Sequence, residues 1–283
     1  MPELPEVEIL VRHLDPVLRG KRVRAVCVLR PRVIRPSSAA KLQASLRGAK
    51  FTAVRRRGKY LVFELSRSRN QPVQLLGHLG MTGRFFVSRK DQPTPKHTSL
   101  FFDLGPERLV FEDTRYFGRL TLDLTPLAKL GPEPLGEEFT SAALAENLKR
   151  SRQPIKTKLL DQAVVAGVGN IYASEALFRA GIAPSLPARK LKQRQIVRLV
   201  RSIRRVLTEA VRCGSTIPLN VTGPAQADRL FYFGQASGTS AFYEERLRVY
   251  DRANQPCGHC GAPIRRIVQA ARSTFFCPRC QRA

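Results

Sequence analysis

The stretch CGHCGAPIRRIVQAARSTFFCPRC (residues 257–280) contains two C-x2-C pairs separated by sixteen residues. Each close pair can turn around one edge of a metal ion, and four thiolates satisfy a tetrahedral Zn2+ completely. The spacing therefore predicts one structural zinc in a stapled hairpin, with no open coordination position; a disulfide pair or four free thiols is the alternative. His259 lies inside the first pair and is expected to be a bystander. The predicted ligands are Cys257, Cys260, Cys277 and Cys280.

The net charge of the chain limits the classes of molecule that it is expected to bind. Its 283 residues include 49 Lys+Arg and 22 Asp+Glu, a formal charge of +27, which exceeds what solubility requires and indicates a polyanion, nucleic acid first. A ribosomal protein, a membrane-surface protein and a solvated basic face are the alternatives. We find no apolar run of membrane-spanning length and no signal-like start. We therefore expect a cytoplasmic protein with no membrane partner, in a compartment that keeps cysteines reduced.

Upstream of the cysteines the pattern changes twice. Apolar residues at helical spacing predict a helix that Gly20 ends, and short apolar runs from Arg22 to about Leu124 predict strands of a sandwich or barrel. LGPEPLGEEF (130–139) is predicted as an interdomain linker. Beyond it the pattern is helical.

Four helices are predicted in this second part. They begin at Ser141 as a cap, at Pro154, at Ile171 and at about Leu191, and residues 221–243 are predicted as a long loop. The last helix has an arginine-rich face, which alone is more often solvated than a binding face. The fold class is thus α+β and multidomain.

Several ordered motifs resemble the bacterial formamidopyrimidine-DNA glycosylase family, in the wider group that also holds endonuclease VIII. They are MPELPEVE at the start, RRRGKYLVFEL (55–65), GHLGMTGRF (77–85), KH (96–97), DTRYFGRL (113–120), PIKTKLLDQ (154–162), GVGNIYASEALF (167–178) and the cysteine-rich tail. The intact ELPEVE favours the formamidopyrimidine branch. The resemblance implies an N-terminal catalytic β-sandwich domain with a flanking helix (1–129), the linker (130–139), a helix–two-turn–helix domain with a long lesion-capping loop (140–243) and a zinc finger (244–283).

The resemblance also implies an activity: a bifunctional DNA glycosylase and abasic-site lyase of base excision repair. Such an enzyme removes oxidised purines, 8-oxoguanine and formamidopyrimidines, and cleaves the strand by β,δ-elimination. After loss of Met1, the secondary amine of Pro2 would attack sugar C1′ and form an iminium. The family assigns acid/base catalysis to Glu3, with support from Glu6, proton transfer to Lys59, and the phosphate and second elimination to Arg272. Without the resemblance, the early acids are ordinary residues of a helix start.

The implied partner is double-stranded damaged DNA, bound by a monomer associated with the bacterial nucleoid. The lesion must leave the stack, and residues must fill the gap. The family positions for the gap are Met81, Arg115 and Phe117, and those for phosphate are His97, Lys156 and Asn170. GVGN precedes a helix, where backbone N–H groups converge on an anion.

Two departures and three alternatives accompany this interpretation. Tyr116 stands where the family often has a second basic residue, and GSTIPLN (214–220) opens an insert longer than usual. The same chemistry on oxidised pyrimidines is one alternative. A zinc-dependent protein that binds damaged DNA without cutting it is the second, and a ribosomal or RNA-binding role is the third.

Overall fold

The computed structural model describes residues 2–67, 71–213 and 247–282, which divide into two compact units. The first unit contains Pro2 and Glu6–Ala128, and the second contains Glu3–Pro5, 129–213 and 247–282. The predicted loop at 221–243 and the GSTIPLN motif lie outside the described residues. Nowhere in the described ranges is a helix both long enough and apolar enough to cross a membrane.

The first unit is built from eight strands and short helices. In chain order its elements are α1 (Leu4–Leu18, whose first two residues belong to the second unit), β1 (Ala25–Val28), a 3-10 helix (Pro31–Ile34), α2 (Ala39–Leu46), β2 (Lys50–Arg57), β3 (Tyr60–Ser66), β4 (Pro72–His78), β5 (Gly83–Arg89), β6 (Thr98–Asp103), β7 (Glu107–Asp113), β8 (Arg119–Thr121) and α3 (Thr125–Ala128).

These strands form two four-stranded antiparallel sheets, in the orders β1-β6-β7-β5 and β2-β3-β4-β8. Apolar side chains from both sheets share one core with α1 and α2. Aromatic rings contribute to this core, with Phe63 edge-on to Phe85 at 5.3 Å and Phe85 stacked on Phe111 at 4.6 Å. The predicted sandwich is therefore confirmed.

One part of the strand-rich region was predicted wrongly. Residues Ala39–Leu46 form α2, and the Ser38 side chain caps it by accepting the backbone N–H of Lys41. Leu42 and Leu46 are four residues apart, so they lie on the same helix face, and both are fully buried. This helical spacing accounts for the difference.

The second unit is mainly helical and ends in a hairpin. Its elements are α4 (Ser141–Leu148), α5 (Ile155–Leu159), α6 (Asn170–Ala180), a 3-10 helix (Ala188–Lys190), α7 (Gln193–Cys213), β9 (Arg265–Gln269) and β10 (Arg272–Phe276). The cap of α4 is Thr140, which accepts the N–H of Ala143, so the prediction of Ser141 as the cap was wrong by one residue. Gly181 ends α6 at φ +66, as predicted.

Residues 130–139 are bonded to the helices of the second unit. Arg204 of α7 donates to the carbonyls of Pro134, Gly136 and Phe139. Phe139 itself is fully buried in the helical core. Arg204 thus anchors this segment and is no part of a freely solvated arginine face.

Candidate active site and nucleic-acid interface

The predicted site residues divide between the two units. The first unit holds Pro2, Glu6, Lys59, Met81, His97, Arg115 and Phe117, and the second holds Glu3, Lys156, Asn170, Arg272 and the four cysteines.

In the second unit, Glu3 lies at the N-terminus of α6. Its carboxylate accepts the backbone N–H of Ile171 at 2.9 Å and that of Tyr172 at 3.4 Å, and its residue is 1% exposed. The next residue, Leu4, donates its N–H to the carbonyl of Gly167. Unpaired N–H groups and the helix dipole stabilise negative charge at this position. The anion that the GVGN turn holds is thus a carboxylate of the chain itself.

Lys156 connects α5, α6 and the hairpin of the second unit. Its ammonium donates to Asn170 Oδ1 at 2.7 Å, to the Ser273 carbonyl at 2.9 Å and to Thr274 Oγ1 at 2.7 Å. The Asn170 amide donates to the same Ser273 carbonyl at 3.0 Å. These three acceptors use all three ammonium protons, so Lys156 holds α5, α6 and the hairpin together in addition to carrying a positive charge.

The charges around Lys156 set its protonation. Burial lowers the pKa of Lys156 to about 8, an effect that the Glu3 carboxylate opposes and Arg272 reinforces. Arg272 is exposed at the start of β10, one residue before the Ser273 carbonyl that Lys156 and Asn170 share. The structure thus brings Glu3, Lys156, Asn170 and Arg272 into one cluster.

Sequence reasoning missed a second buried carboxylate near this cluster. Glu175 of α6, 3% exposed, accepts the backbone N–H groups of Arg248, Val249 and Tyr250 at 2.8–2.9 Å. Burial raises the pKa of Glu175, and the three N–H donors oppose that shift. The Tyr250 hydroxyl is in turn hydrogen-bonded to Asn170. A glutamate within the apolar run YASEALF was the available signal.

The four predicted cysteines form one metal site in the hairpin. Their Sγ atoms all lie within 4.8 Å of one another, and no carboxylate or histidine from the described part of the chain joins the group. A set of four thiolates is the donor chemistry of a closed structural zinc site. His259 Nδ1 lies 3.5 Å from Cys280 Sγ, a hydrogen-bond distance for sulfur, so His259 borders the site without ligating. The residues fit one Zn2+.

In the first unit, Lys59 occupies a two-residue turn between β2 and β3. Gly58 precedes it with φ +57, the glycine-first pattern of type II′ hairpins. Arg56 supports the turn by donating to the Gly58 carbonyl at 3.2 Å and to Glu8 Oε2 at 2.8 Å. Burial would raise the pKa of Glu8, but hydrogen bonds from arginines, Arg56 foremost, hold it below its usual range. Glu8 is thus structural.

Two further groups of this unit are buried, and a third, His78, is half-buried. Pro2 and Glu6 are shielded from solvent, Glu6 completely. His78 lies beside Tyr60 at 4.9 Å between ring centroids, with the two rings tilted by 51°, and accepts the Gly80 N–H on Nδ1. Burial, together with the charges of Lys59 and Arg119, lowers the pKa of His78 to about 4. His78 is therefore neutral beside Lys59 at physiological pH.

The three predicted gap-filling residues are exposed on two adjoining loops of the first unit. Met81 is 41% exposed and Phe117 49%, both unusual for large apolar side chains. The Arg115 guanidinium lies 5.3 Å from the Phe117 ring centroid. Buried Asp113 connects the loops, because its carboxylate accepts from the Thr82 hydroxyl at 2.5 Å as well as from its own loop's N–H groups.

Comparison with models of known protein families gives three matches along the chain. The model of the formamidopyrimidine-DNA glycosylase N-terminal domain matches residues 1–120, that of the H2TH domain matches 130–220, and a zinc finger found in FPG and IleRS matches 254–283. The chain belongs to the formamidopyrimidine-DNA glycosylase family. The resemblance, the fold class and the structural zinc predicted from the sequence are confirmed. As a member of this family, the chain is a DNA glycosylase and abasic-site lyase of base excision repair.

Individual relatives agree along the whole chain. The formamidopyrimidine-DNA glycosylase of Symbiobacterium thermophilum is 44% identical and covers 99% of this chain and 89% of its own length. That of Thermus thermophilus is 41% identical, with 99% and 98% covered. A solved complex of Lactococcus lactis Fpg with abasic-site DNA superposes with a TM-score of 0.88 at 32% identity, covering 99% of this chain and 100% of the other.

Proposed function

We propose that this formamidopyrimidine-DNA glycosylase family member removes oxidised purines, namely 8-oxoguanine and formamidopyrimidines, from duplex DNA through an iminium on Pro2. One observation carries the proposal: Glu3 is held by the backbone N–H groups of α6, in the cluster with Lys156 and Arg272. The residue directly after Pro2 is thus fixed in a cluster that carries two cationic side chains, Lys156 and Arg272, which suits a phosphate group.

The chemistry follows from these groups. Once Met1 is removed, the Pro2 nitrogen bonds to sugar C1′ while the C1′–base bond breaks, and the base leaves with a proton. Glu3 supplies acid/base catalysis to the sugar, and buried Glu6 supports it. The C1′–O4′ bond then breaks as Glu3 gives a proton to O4′, and the lone pair of the proline nitrogen forms the C1′=N double bond of a cationic iminium, for which a secondary amine has no further N–H to lose. The iminium acidifies the C2′ protons, so β-elimination breaks the 3′ C–O bond and δ-elimination then breaks the 5′ one.

Lys59 and Arg272 act after base removal. Lys59, held in its braced turn, moves protons during elimination. Arg272, exposed beside the Lys156–Asn170 pair, binds the phosphate next to the lesion and assists the second elimination. Lys156 and Asn170 contribute charge and hydrogen bonding to the same phosphate region. In the first unit, His97 is assigned to a phosphate of the DNA backbone.

Access to C1′ requires the nucleotide to leave the helix. The exposure of Met81 and Phe117, and the seating of Arg115 beside Phe117, support the assignment of these three residues to the vacated gap. We assign the functional divisions to 1–129, 130–139, 140–243 and 244–283. The protein acts as a monomer in the bacterial cytoplasm, on nucleoid DNA.

Borohydride trapping on an abasic-site duplex tests the mechanism, with the N-terminal mass of the same preparation recorded. We expect a covalent adduct that maps to Pro2 in protein lacking Met1. A variant that retains Met1 is the control, because its proline nitrogen is an amide and cannot form the iminium. Absence of an adduct from correctly processed protein would reject the proposal in favour of binding without cleavage.

Oxidised pyrimidines are a second candidate substrate. One related structure is described as a complex of Lactococcus lactis Fpg with DNA containing an oxidised pyrimidine, with a TM-score of 0.87. A panel of duplexes carrying 8-oxoguanine, a formamidopyrimidine and thymine glycol separates the candidates under single-turnover conditions. Faster cutting at the two purine lesions is expected, and equal or faster cutting at thymine glycol would overturn the purine assignment.

A further inference from the structure

Tyr116 adopts an unusual backbone conformation in the loop between β7 and β8. Its φ is +55, in the left-handed region that bulky side chains rarely occupy. Residues persist there when the surroundings hold them, and such positions concentrate at functional sites. The loop also carries Arg115 and Phe117, so the strain lies at the proposed DNA interface.

Two neighbouring side chains contact Tyr116, one at its hydroxyl and the other at its ring. Its hydroxyl lies 3.1 Å from His97 Nδ1, and the Arg30 guanidinium lies 5.1 Å from its ring centroid. The backbone holds both partners: the Arg30 N–H donates to the Ser99 carbonyl at 2.9 Å, and the Asp113 N–H donates to the His97 carbonyl at 3.1 Å. Three chain segments therefore meet at this ring.

We propose that Arg30, Tyr116 and His97 form one phosphate-binding subsite of the first unit, in which Tyr116 orients His97 and Arg30 supplies a permanent positive charge. The inference rests on the proposed function, because it takes the ligand to be the DNA backbone. Arg30 has no assigned role in the family motifs quoted above, and Tyr116 stands where a basic residue is common. Arg30 supplies the charge that this substitution removes.

The hydrogen bond between the Tyr116 hydroxyl and Nδ1 orients the His97 ring, and its direction decides whether Nε2 is a donor. When the Tyr116 hydroxyl donates to Nδ1, the ring proton must reside on Nε2, so Nε2 is a donor. When the imidazole is charged, Nδ1 donates to the phenol oxygen and Nε2 again carries a proton. In these two forms His97 offers an N–H to a phosphate oxygen, whereas the neutral tautomer protonated on Nδ1 would present an acceptor, so the subsite requires the Tyr116 hydroxyl to donate to neutral His97.

The charge of Arg30 remains available to a ligand. Its residue is exposed, and among the ion pairs in the described part of the chain none involves it. The Tyr116 ring confines the guanidinium without neutralising it. A fixed, unneutralised guanidinium beside an oriented imidazole N–H suits a phosphodiester, which accepts from both.

The test is binding to a duplex with an uncleavable tetrahydrofuran abasic site, measured over a series of salt concentrations. Tyr116→Phe keeps the ring and removes only the hydroxyl; we expect about fivefold weaker binding, the effect of one hydrogen bond. In a His97→Ala background the same change should have no effect. Arg30→Gln should lower the slope of log affinity against log salt by about 0.9, the value of one phosphate contact.

Arg47→Gln is the matched control, because Arg47 is an exposed arginine of the same unit, directly after α2, and should leave the slope unchanged. Melting temperatures verify that each variant is folded, and single-turnover cleavage of an 8-oxoguanine duplex by Arg47→Gln at saturating enzyme should stay within about twofold of the wild-type rate. An unchanged salt slope in Arg30→Gln would overturn the role of Arg30. An equal loss from Tyr116→Phe with and without His97 would overturn the orienting role.

Failure of the proposed chemistry is separable from failure of this inference. The tetrahydrofuran duplex reports binding without any covalent step. Protein that forms no borohydride adduct but shows both expected effects would retain the subsite and lose the proposed mechanism. Protein that traps normally, with neither effect, would retain the mechanism and lose the subsite.

Discussion

A methyl group built on Gly169 would come within 3.0 Å of the carboxyl group of Glu3, closer than real Cβ atoms approach their neighbours. The glycine before α6 is therefore what admits the N-terminal carboxylate to the helix end. Two residues that are 166 positions apart in the chain together define the place of the predicted acid/base group.

Gly169→Ala should accordingly displace Glu3. We expect the single-turnover rate of base removal to fall by about 100-fold or more, the lower range for loss of an acid/base group. Gly136→Ala is the control, since the nearest atom to its added methyl would be 3.4 Å away. A normal rate in folded Gly169→Ala protein would show that the observed position of Glu3 is unnecessary for catalysis.

The DNA affinity should depend on pH through Lys156. Its pKa is lowered from 10.5 to about 8, so the folded protein loses this charge as pH rises through 8, and the affinity should fall between about pH 7 and pH 9. Lys156→Arg keeps the charge throughout that range and should flatten the profile. Fluorescence anisotropy at constant salt measures the DNA affinity of both proteins. The same dependence of affinity on pH in the wild type and in Lys156→Arg would contradict the role of the Lys156 charge.

His78 should make the folded state sensitive to mild acid. Between pH 6.5 and about 4 the unfolded chain binds a proton here that the folded protein does not. Stability from this group is complete above about pH 6.5 and is lost as pH falls towards 4, by up to about 3 kcal/mol. Urea unfolding at several pH values should show that the free energy of unfolding falls more steeply with acidification in the wild type than in His78→Gln. Equal dependence on pH in the two proteins would exclude this role of His78.

Removal of zinc should unfold the hairpin and weaken DNA binding. The core around it is small, containing Val249, Ile264 and Phe275 with the two buried cysteines, and such a core depends on its metal. We expect Cys277→Ser to lose zinc, to become protease-sensitive within 257–280 and to bind DNA at least about tenfold more weakly. Cys27→Ser, outside the metal site, should retain its zinc and its affinity.

Phe117→Ala should separate stability from lesion extrusion. Because the ring is 49% exposed, its loss should change the free energy of unfolding by no more than about 0.5 kcal/mol. Base removal from a duplex should nevertheless slow by about tenfold, since the vacated stack is no longer filled. Leu135→Ala, at similar exposure, is the control, and equal rates for both variants would argue against the wedge.

Most of the fold could be predicted from local sequence patterns. Strand runs, the Gly181 stop and the cysteine spacing are signals within a few residues, and each appeared where predicted. The α2 helix was missed because Leu42 and Leu46 alone give a weak period. The site was less accessible to sequence, because the contacts of Glu3 with α6, of Lys156 with Thr274 and of Glu175 with 248–250 join distant segments that no local pattern reveals.

The hydrogen bonds of the Glu175 carboxylate also have a consequence for the length of the segment that precedes residue 247. It fixes residues 248–250 to α6, while α7 is fixed by its buried face up to Ala210, so both attachment points of the intervening segment are set independently of its length. For chain segments in general, doubling the number of residues between two fixed ends costs only about 0.6 kcal/mol of closure entropy. A change in the number of residues between these two points is therefore compatible with an unchanged register of the zinc hairpin and of Arg272.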